Sequence, residues 1–440
     1  MSRSGDLNDV QLALRECITH VQATLQKLRE EKNATALNWA LHHDVELPDR
    51  ETEALASKAV SVLNDAQHLL QPGHLILADH FLGKCNRLDS YTYTFYRLKC
   101  LICIPGYTDS KCLVAAVELG IPDALDTPQS LSSLAKGCSA HPHILQQILR
   151  QLVNNNIFAL DATSELYFNN RVSNLLRTDH WTQWHNWVSL YGTEFYDIAR
   201  GIPAAVLETS MRTPAQINFD TDDSMFTHFQ SRGWVPRLHK TLSSGATAMA
   251  PSILADYPWH EVEDSTVIDI GGGSGALIAS LLRAYPLMRG GVYELEHVIQ
   301  HMTPFFAEGG VYEDLRERVP KENLVSGDFL KWVPQSEVYV IKWTLHNWKD
   351  EDAVVILRNV REAMIKTEGK SRLIIFESVV EDGRAGRLAR LGGINMMMMT
   401  RDGHERTERE WRFLSESAGW SQFRIFPVRR SWVSAIELRL

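Results

Sequence analysis

The chain has 440 residues, 44% of them hydrophobic and 22% charged, with a net charge of −9. That length holds two or three ordinary soluble domains. The acidic balance disfavours non-specific binding to nucleic acid or acidic lipid, and no apolar run is long enough to cross a bilayer. The N-terminal segment MSRSGDLNDVQLALREC lacks the apolar core of a secretory signal, so a cytoplasmic location is expected. Six cysteines are too few for a disulfide scaffold in a chain of this size. Cys100 and Cys103 have the spacing of a metal or redox pair. They lie in an apolar stretch with no second pair, and read as buried free thiols, not a metal site.

Taken in chain order, residues 8–31 and 50–70 read as amphipathic helices. Val10, Leu14, Ile18, Val21, Leu25 and Leu28 recur three or four apart, and a polar stretch with Pro48 separates the two helices. Residues 110–125 form another helix, ended by Gly120 and Pro122. Residues 127–176 have a winged-helix layout. A first helix opens at Thr127-Pro128, and a second, capped from Ser139, carries Ile144, Leu145, Ile148, Leu149 and Leu152. Asn154-Asn155-Asn156 ends it, and two short strands follow. Such a unit can read DNA, but its second helix offers few basic side chains within an acidic chain, so an oligomerisation or lid role is favoured. Residues 180–260 are helical and rich in aromatics, Trp187 and Tyr191 among them; most are expected to be packing side chains, with a few lining an aromatic substrate pocket.

From Thr266 onward strands and helices alternate, which predicts a mostly parallel sheet covered by helices on both faces. Expected strands are 266–270, 291–295, 323–327, 337–343 and 372–378. A last pair, 422–428 and 431–438, is joined only by Arg429-Arg430 and should be an antiparallel hairpin. The fold class is therefore α/β: a Rossmann-like doubly wound sheet ending in that hairpin, preceded by a mainly helical part with a winged helix. Four segments are expected: a helical extension over 1–100, a winged-helix dimerisation domain over 101–180, a helical connector and lid over 181–260, and a cofactor-binding catalytic domain over 261–440.

Val267-Ile-Asp-Ile-Gly-Gly-Gly-Ser-Gly275 is a β-branched run that breaks into a glycine-dense turn, followed by a helical pattern and a second strand ending at Glu294. This is the layout of a nucleotide-cofactor site: the glycines bring bare backbone to a ligand, and the acid accepts from ribose hydroxyls. Gly271, Gly273 and Ala276 satisfy a dinucleotide fingerprint, and Gly271, Gly273 and Gly275 an S-adenosylmethionine one. The glycines alone leave both open. Asp269 would repel a pyrophosphate but suits the ammonium of a methionine moiety.

Downstream motifs carry a more specific signal. Gly327-Asp-Phe329, Ile341-Lys-Trp-Thr-Leu-His-Asn-Trp348, Phe376-Glu377 and Asp402-Gly-His-Glu-Arg-Thr407 follow in order. With the glycine run and Glu294, the chain over roughly residues 110–438 resembles the plant and fungal small-molecule O-methyltransferases of the caffeic acid type. The resemblance implies a homodimer that binds S-adenosyl-L-methionine. It implies that Asp269, Gly271 and Gly273 lie at the cofactor, that Glu294 holds the ribose, and that Asp328 takes the adenine amino group with Phe329 against the ring. Lys342 matches a position at the cofactor and substrate edge, His346 the general base, and Glu377 and Glu405 the acids flanking it. Asn347 stands where the family has Asp, and the segment Asn395-Met-Met-Met-Met-Thr400 is unusually methionine-rich.

The reaction so implied is O-methylation of a hydroxyl, phenolic by expectation, on a secondary metabolite. No metal, nucleic acid or membrane partner is called for. The alternative is a relative of the same fold that binds the cofactor without methylating and acts as a pericyclase on a polyketide-derived substrate. A phenol near pKa 10 is mostly protonated at neutral pH, so a positioned imidazole, its tautomer held by a carboxylate, helps methyl transfer.

Overall fold

The apolar runs of the C-terminal half form strands of one sheet in the computed structural model, which describes residues 3–43, 46–70, 107–207, 211–382 and 386–440. Cys100 and Cys103 lie outside the described residues. The chain divides into two compact units, residues 1–112 with 124–173, and residues 113–123 with 174–440. Among the described residues no helix is long and apolar enough to cross a membrane.

The first unit opens with helices α1 (Arg3–Arg29), α2 (Glu31–His42) and α3 (Arg50–Leu70). Helix α2 corrects the sequence reading, which placed only a polar stretch between two helices. Ala34, Ala36, Leu37, Ala40 and Leu41 are good helix formers, and Glu31 in its first turn and His42 in its last complement the helix dipole. Next come β1 (Gln129–Ser130), α4 (Leu131–Gly137), α5 (Pro142–Asn154), β2 (Phe158–Asp161) and β3 (Leu166–Asn169). The strands form an antiparallel sheet in the order β1-β3-β2. Helix α5 buries Leu145, Leu149 and Leu152 on one face. It is not capped from Ser139, which turns left-handed at φ 54°. His141 is the residue before the helix, and Pro142 starts it with its pre-set φ.

The second unit is built on a seven-stranded sheet. In chain order its elements include helix α6 (Val235–Asp256), β4 (Thr266–Ile270), α7 (Ala276–Ala284), β5 (Arg289–Glu294), β6 (Leu324–Ser326) and β7 (Val338–Lys342). Helix α8 (Asp350–Ala363), β8 (Arg372–Glu377), β9 (Val379–Val380), α9 (Arg387–Met399), β10 (Arg406–Thr407), α10 (Glu408–Ser417), β11 (Gln422–Pro427) and β12 (Ser434–Arg439) complete it. The sheet order is β11-β12-β8-β7-β4-β5-β6, parallel from β8 to β6, with β12 and β11 antiparallel at one edge. Short β9 and β10 pair separately and in parallel.

Alternation along the strands makes two cores. Val267, Val338, Val340, Ile374 and Phe376 face a cluster with Leu277, Leu281 and Leu282 of α7 and Ile253 of α6. Ile268, Ile270, Tyr339, Ile341, Leu373 and Ile375 face the other side, against Ile356, Leu357 and Val360 of α8 and Trp411 of α10. Each such side chain contributes roughly 1.5–3 kcal/mol by leaving water, which is why the strands sit in this register. The hairpin has a longer connection than Arg429-Arg430: β11 ends at Pro427 and β12 begins at Ser434. Arg429 bonds Asp256 through its backbone N–H (2.8 Å) and Nε (2.9 Å), and Val428 and Val433 bury themselves, so the connecting loop folds onto the core.

The strand order reverses between β4 and β7, so the carboxyl ends of these two neighbours bound a crevice. Most of the site candidates lie near the carboxyl ends of β4, β5, β6, β7 and β8 or in the loops that follow them, and Glu405 comes from the loop between α9 and β10.

Candidate active site

The glycine run begins where β4 ends. Gly271, Gly273 and Gly275 adopt φ of 71°, 54° and 77°, a left-handed backbone that a side chain would strain. Gly272 bends round the Asp269 carboxyl so closely that a Cβ there would lie 2.7 Å from it, whereas nothing lies within 4 Å of a Cβ at Gly273. The loop therefore offers bare backbone to the crevice.

Asp269 is 2% exposed. Its Oδ1 is buried without a hydrogen-bond partner among the described residues. Burial raises its carboxyl well above the usual range, the charge of Glu294 adds to this, and Lys342 opposes it. Lys342 ends the neighbouring strand β7. Burial lowers its ammonium, and Asp269 and Glu377 oppose that shift. The ammonium also stands 4.0 Å from the centre of the Trp343 ring.

Glu294 closes β5, and its Oε2 accepts from the N–H of Leu295 at 2.7 Å. Asp328 follows β6; its Oδ1 accepts from the N–H of Leu330 at 3.0 Å, and its Oδ2 lies 3.2 Å from Lys331. Phe329 packs edge-on against Trp348, ring centres 5.5 Å apart. Glu294 and Asp328 each keep part of their carboxylate for local turns and remain partly exposed at the strand ends.

His346 sits in a one-turn helix, Leu345–Asn347, just beyond β7. Trp343 before it is left-handed at φ 53°, which turns the chain sharply after the strand. Glu377, the last residue of β8, is fully buried and pins this turn: its Oε1 accepts from the N–H groups of Thr344 (2.8 Å), Leu345 (2.9 Å) and His346 (3.4 Å). Its Oε2 lies 3.2 Å from His346 Nδ1. Glu405 Oε1 lies 2.9 Å from the same nitrogen. Two carboxylates facing Nδ1 place the proton there, where Glu405 takes it, and leave Nε2 as the lone-pair nitrogen. The imidazole keeps 10% exposure.

Burial alone would lower the imidazole pKa. The charges of Glu377 and Glu405 and the hydrogen bond to Glu405 outweigh it and hold it above its ordinary value, with Arg406 opposing them. The same burial, with the charge of Glu405, raises the Glu377 carboxyl, against the pull of His346 and the turn amides. The donor atoms of His346, Glu377 and Glu405 lie within 4.8 Å of one another. Nδ1–H donates to Glu405 at 2.9 Å, while Glu377 Oε2, 3.2 Å from the same nitrogen, acts on the imidazole through its charge.

The loop before Glu405 fits this turn tightly. A Cβ on Gly403 would lie 2.1 Å from Thr400 Oγ1 and 2.7 Å from the His346 carbonyl oxygen. That carbonyl accepts from the N–H of His404 at 2.9 Å. Asn347 donates from Nδ2 to the Thr344 carbonyl at 3.3 Å, a bond that the family's Asp could not donate. The methionine run is partly core: Met398 is buried with Leu190, Phe195, Ile198 and Phe229, and Met397 and Met399 pack against them.

The structure thus brings Asp269, Gly271, Gly273, Glu294, Asp328, Phe329 and Lys342 to one edge of the sheet, with His346, Glu377 and Glu405 joined by hydrogen-bond distances beside them. Two features escaped the sequence reading. One is Arg406, visible as part of the last motif but given no task. The other is Trp432 and the aromatic cluster it forms, in which Trp187 lies edge-on to Trp432 at 5.2 Å and stacks on Tyr191 at 5.2 Å, while Trp343 stacks on Trp432 at 5.8 Å. Burial and the charge of Glu405 raise the Tyr191 hydroxyl pKa. Trp187, Tyr191 and Trp432 carry no motif, so only the fold could place them.

Two family profiles match the chain, an O-methyltransferase dimerisation domain over residues 102–179 and an O-methyltransferase domain over residues 224–421. The O-methyltransferase aclM of Aspergillus oryzae is 52% identical over 98% of this chain and 94% of its own. The chain belongs to the O-methyltransferase family. The O-methyltransferase verK of Clonostachys rogersoniana is 41% identical over 98% of both chains. Among solved structures, that of LaPhzM aligns with a TM-score of 0.63 at 27% identity, covering 76% of this enzyme and 96% of that chain. Human N-acetylserotonin methyltransferase in complex with SAM shares the fold, with a TM-score of 0.64 at 23% identity over 76% of this enzyme and 94% of that chain. The methyltransferase fold and the sheet edge described above therefore coincide, and every candidate site residue falls inside the matched catalytic segment.

Proposed function

We propose that this O-methyltransferase methylates a phenolic hydroxyl of a secondary metabolite, with His346 Nε2 as the general base. The observation that carries the reading is the placement of Glu405 and Glu377 at 2.9 and 3.2 Å from Nδ1, which leaves Nε2 free to accept a proton.

S-Adenosyl-L-methionine is the cofactor and supplies an electrophilic methyl group when bound. The residues of the crevice fit it: a glycine turn that a Cβ would fill, and a buried Asp269 oxygen that lacks a donor. In this reading the backbone of Gly271 and Gly273 lies along the cofactor and Glu294 accepts from its ribose hydroxyls. Asp328 accepts from the adenine amino group, with Phe329 against the ring, and Asp269 and Lys342 meet its amino-acid end.

The phenolic O–H donates to His346 Nε2, and its proton moves there as the oxygen becomes nucleophilic. The imidazolium so formed is stabilised by two carboxylates on its far side. A raised imidazole pKa narrows the gap to a phenol near 10, which makes this transfer less uphill. Glu377 has a second task, since its three backbone bonds keep the imidazole aimed. Holding base and acceptor in line supplies further rate through proximity. The dimerisation domain at residues 102–179 supports a homodimer.

The test is His346→Ala, incubated with methyl-labelled cofactor and a panel of simple phenols. Positioned proton transfer contributes about 10²–10⁴-fold, so transfer should fall by that order while binding of S-adenosylhomocysteine persists. Undiminished transfer in the variant would remove His346 as the base.

A further inference from the structure

Arg406 is fully buried, which is unfavourable for a cation unless every donor is satisfied. Its Nε donates to Asp350 Oδ1 at 2.9 Å, its Nη1 to the Leu345 carbonyl at 3.0 Å and its Nη2 to the Trp348 carbonyl at 2.6 Å. The guanidinium carbon lies 5.4 Å from the centre of the Trp411 ring. Leu345 and Trp348 bracket His346 and Asn347 in the chain. One planar fork thus grips both ends of the turn that carries the imidazole.

We propose that Arg406 is a positioning residue of the methyl-transfer site, clamping the His346 turn through the two carbonyls and offsetting the paired glutamates with a fixed positive charge. The charged groups around the imidazole come from several elements. Glu377 ends β8, Glu405 precedes β10, and Arg406 opens β10. Behind Arg406 stand Asp350, at the start of α8, and His404, whose Nε2 lies 3.7 Å from Asp350 Oδ1. Lys342, at the end of β7, acts on Glu377, and Tyr191 interacts with Glu405.

Two glutamates against one imidazole would hold its proton tightly. The guanidinium works against them, which agrees with its lowering influence on His346. A lysine could carry the charge but not the fork, since a single ammonium has no planar set of donors to reach two carbonyls and a carboxylate together. For activity, this inference rests on His346 being the base; for the titration of His346, it does not.

The experiment is a pH titration of the histidine ring carbons by NMR in the full chain, with His346 assigned from the His346→Gln spectrum. Variants are Arg406→Met, Arg406→Lys and Asp350→Asn, with folding checked by circular dichroism and S-adenosylhomocysteine binding. In Arg406→Met the His346 midpoint should move up, because the opposing charge is gone. Arg406→Lys should stay nearer the parent midpoint. Asp350→Asn should move it down, because Arg406 loses its counter-ion; the Asp350 side chain is 41% exposed, so this variant should fold even where Arg406→Met does not. An unmoved midpoint in Asp350→Asn, or in a folded Arg406→Met, overturns the proposal. A moved midpoint alongside undiminished methylation by His346→Gln supports the clamp and overturns the base assignment instead.

Discussion

His346 shows how one side chain can carry opposing influences. Desolvation favours the neutral imidazole, and two carboxylates favour the cation and win. As the proposed base, His346 must be neutral to accept a proton, so kcat/KM should rise with pH through the raised imidazole pKa, above the range of an ordinary histidine near 6.5. Glu405→Gln removes one of the charges that hold the proton. The imidazole then releases it at lower pH, so the rising limb should move down, while the plateau falls because Nδ1–H loses its best acceptor. A pH profile of the variant with an unmoved limb would separate Glu405 from the titration of His346.

At the scale of elements, two tight turns serve two different partners. The first is the glycine turn after β4, wrapped round Asp269. Gly272→Ala would bring a methyl 2.7 Å from the Asp269 carboxyl, so calorimetry should show S-adenosylhomocysteine binding weakened by about tenfold or more. The second is the loop between α9 and β10. Gly403→Ala would set a methyl 2.7 Å from the His346 carbonyl oxygen and displace the turn that carries His346. Its turnover should fall by about 10²-fold, as small misplacements of catalytic groups do, with cofactor binding within a few-fold of the parent. If the two variants lost the same property, the division of labour between the loops would be wrong. Gly392 in α9 belongs with the second loop, because a Cβ there would lie 3.1 Å from Glu405 Oε1.

Across the whole molecule, the candidate site residues all belong to the unit made of residues 113–123 and 174–440. A ligand that binds only the folded site stabilises by RT ln(1 + [L]/Kd), about 2.7 kcal/mol at a hundredfold excess over Kd. Scanning calorimetry with S-adenosylhomocysteine should therefore raise the transition that includes the seven-stranded sheet. Equal shifts in every transition would mean that the two units unfold as one.

Much of this was legible beforehand because the decisive residues sit at ends of strongly patterned strands. Strands β4 and β7 begin within one residue of their expected starts, and Asp269, Lys342 and Glu377 are residues of strands, so the sheet alone carries them to one edge. Boundaries failed where local pattern and tertiary contact disagreed. Ser139 looked like a cap, but Pro142 started the helix. Arg429-Arg430 looked like a tight turn, but Asp256 drew Arg429 onto the core. Asn347 stood out only as a departure from the family's Asp, and the structure shows its amide donating to the Thr344 carbonyl.

By itself the sequence determined the α/β alternation, the glycine turn and the order of the motifs, because strand period and glycine backbone freedom are local properties. Only the tertiary structure decided that both glutamates meet the same imidazole nitrogen, that Glu377 also holds three backbone N–H groups, and that Arg406 grips the turn from behind. Those contacts join residues 31 to 61 positions apart in the chain. Their geometry is set by how β7, β8 and β10 pack, and no local pattern of residues records it.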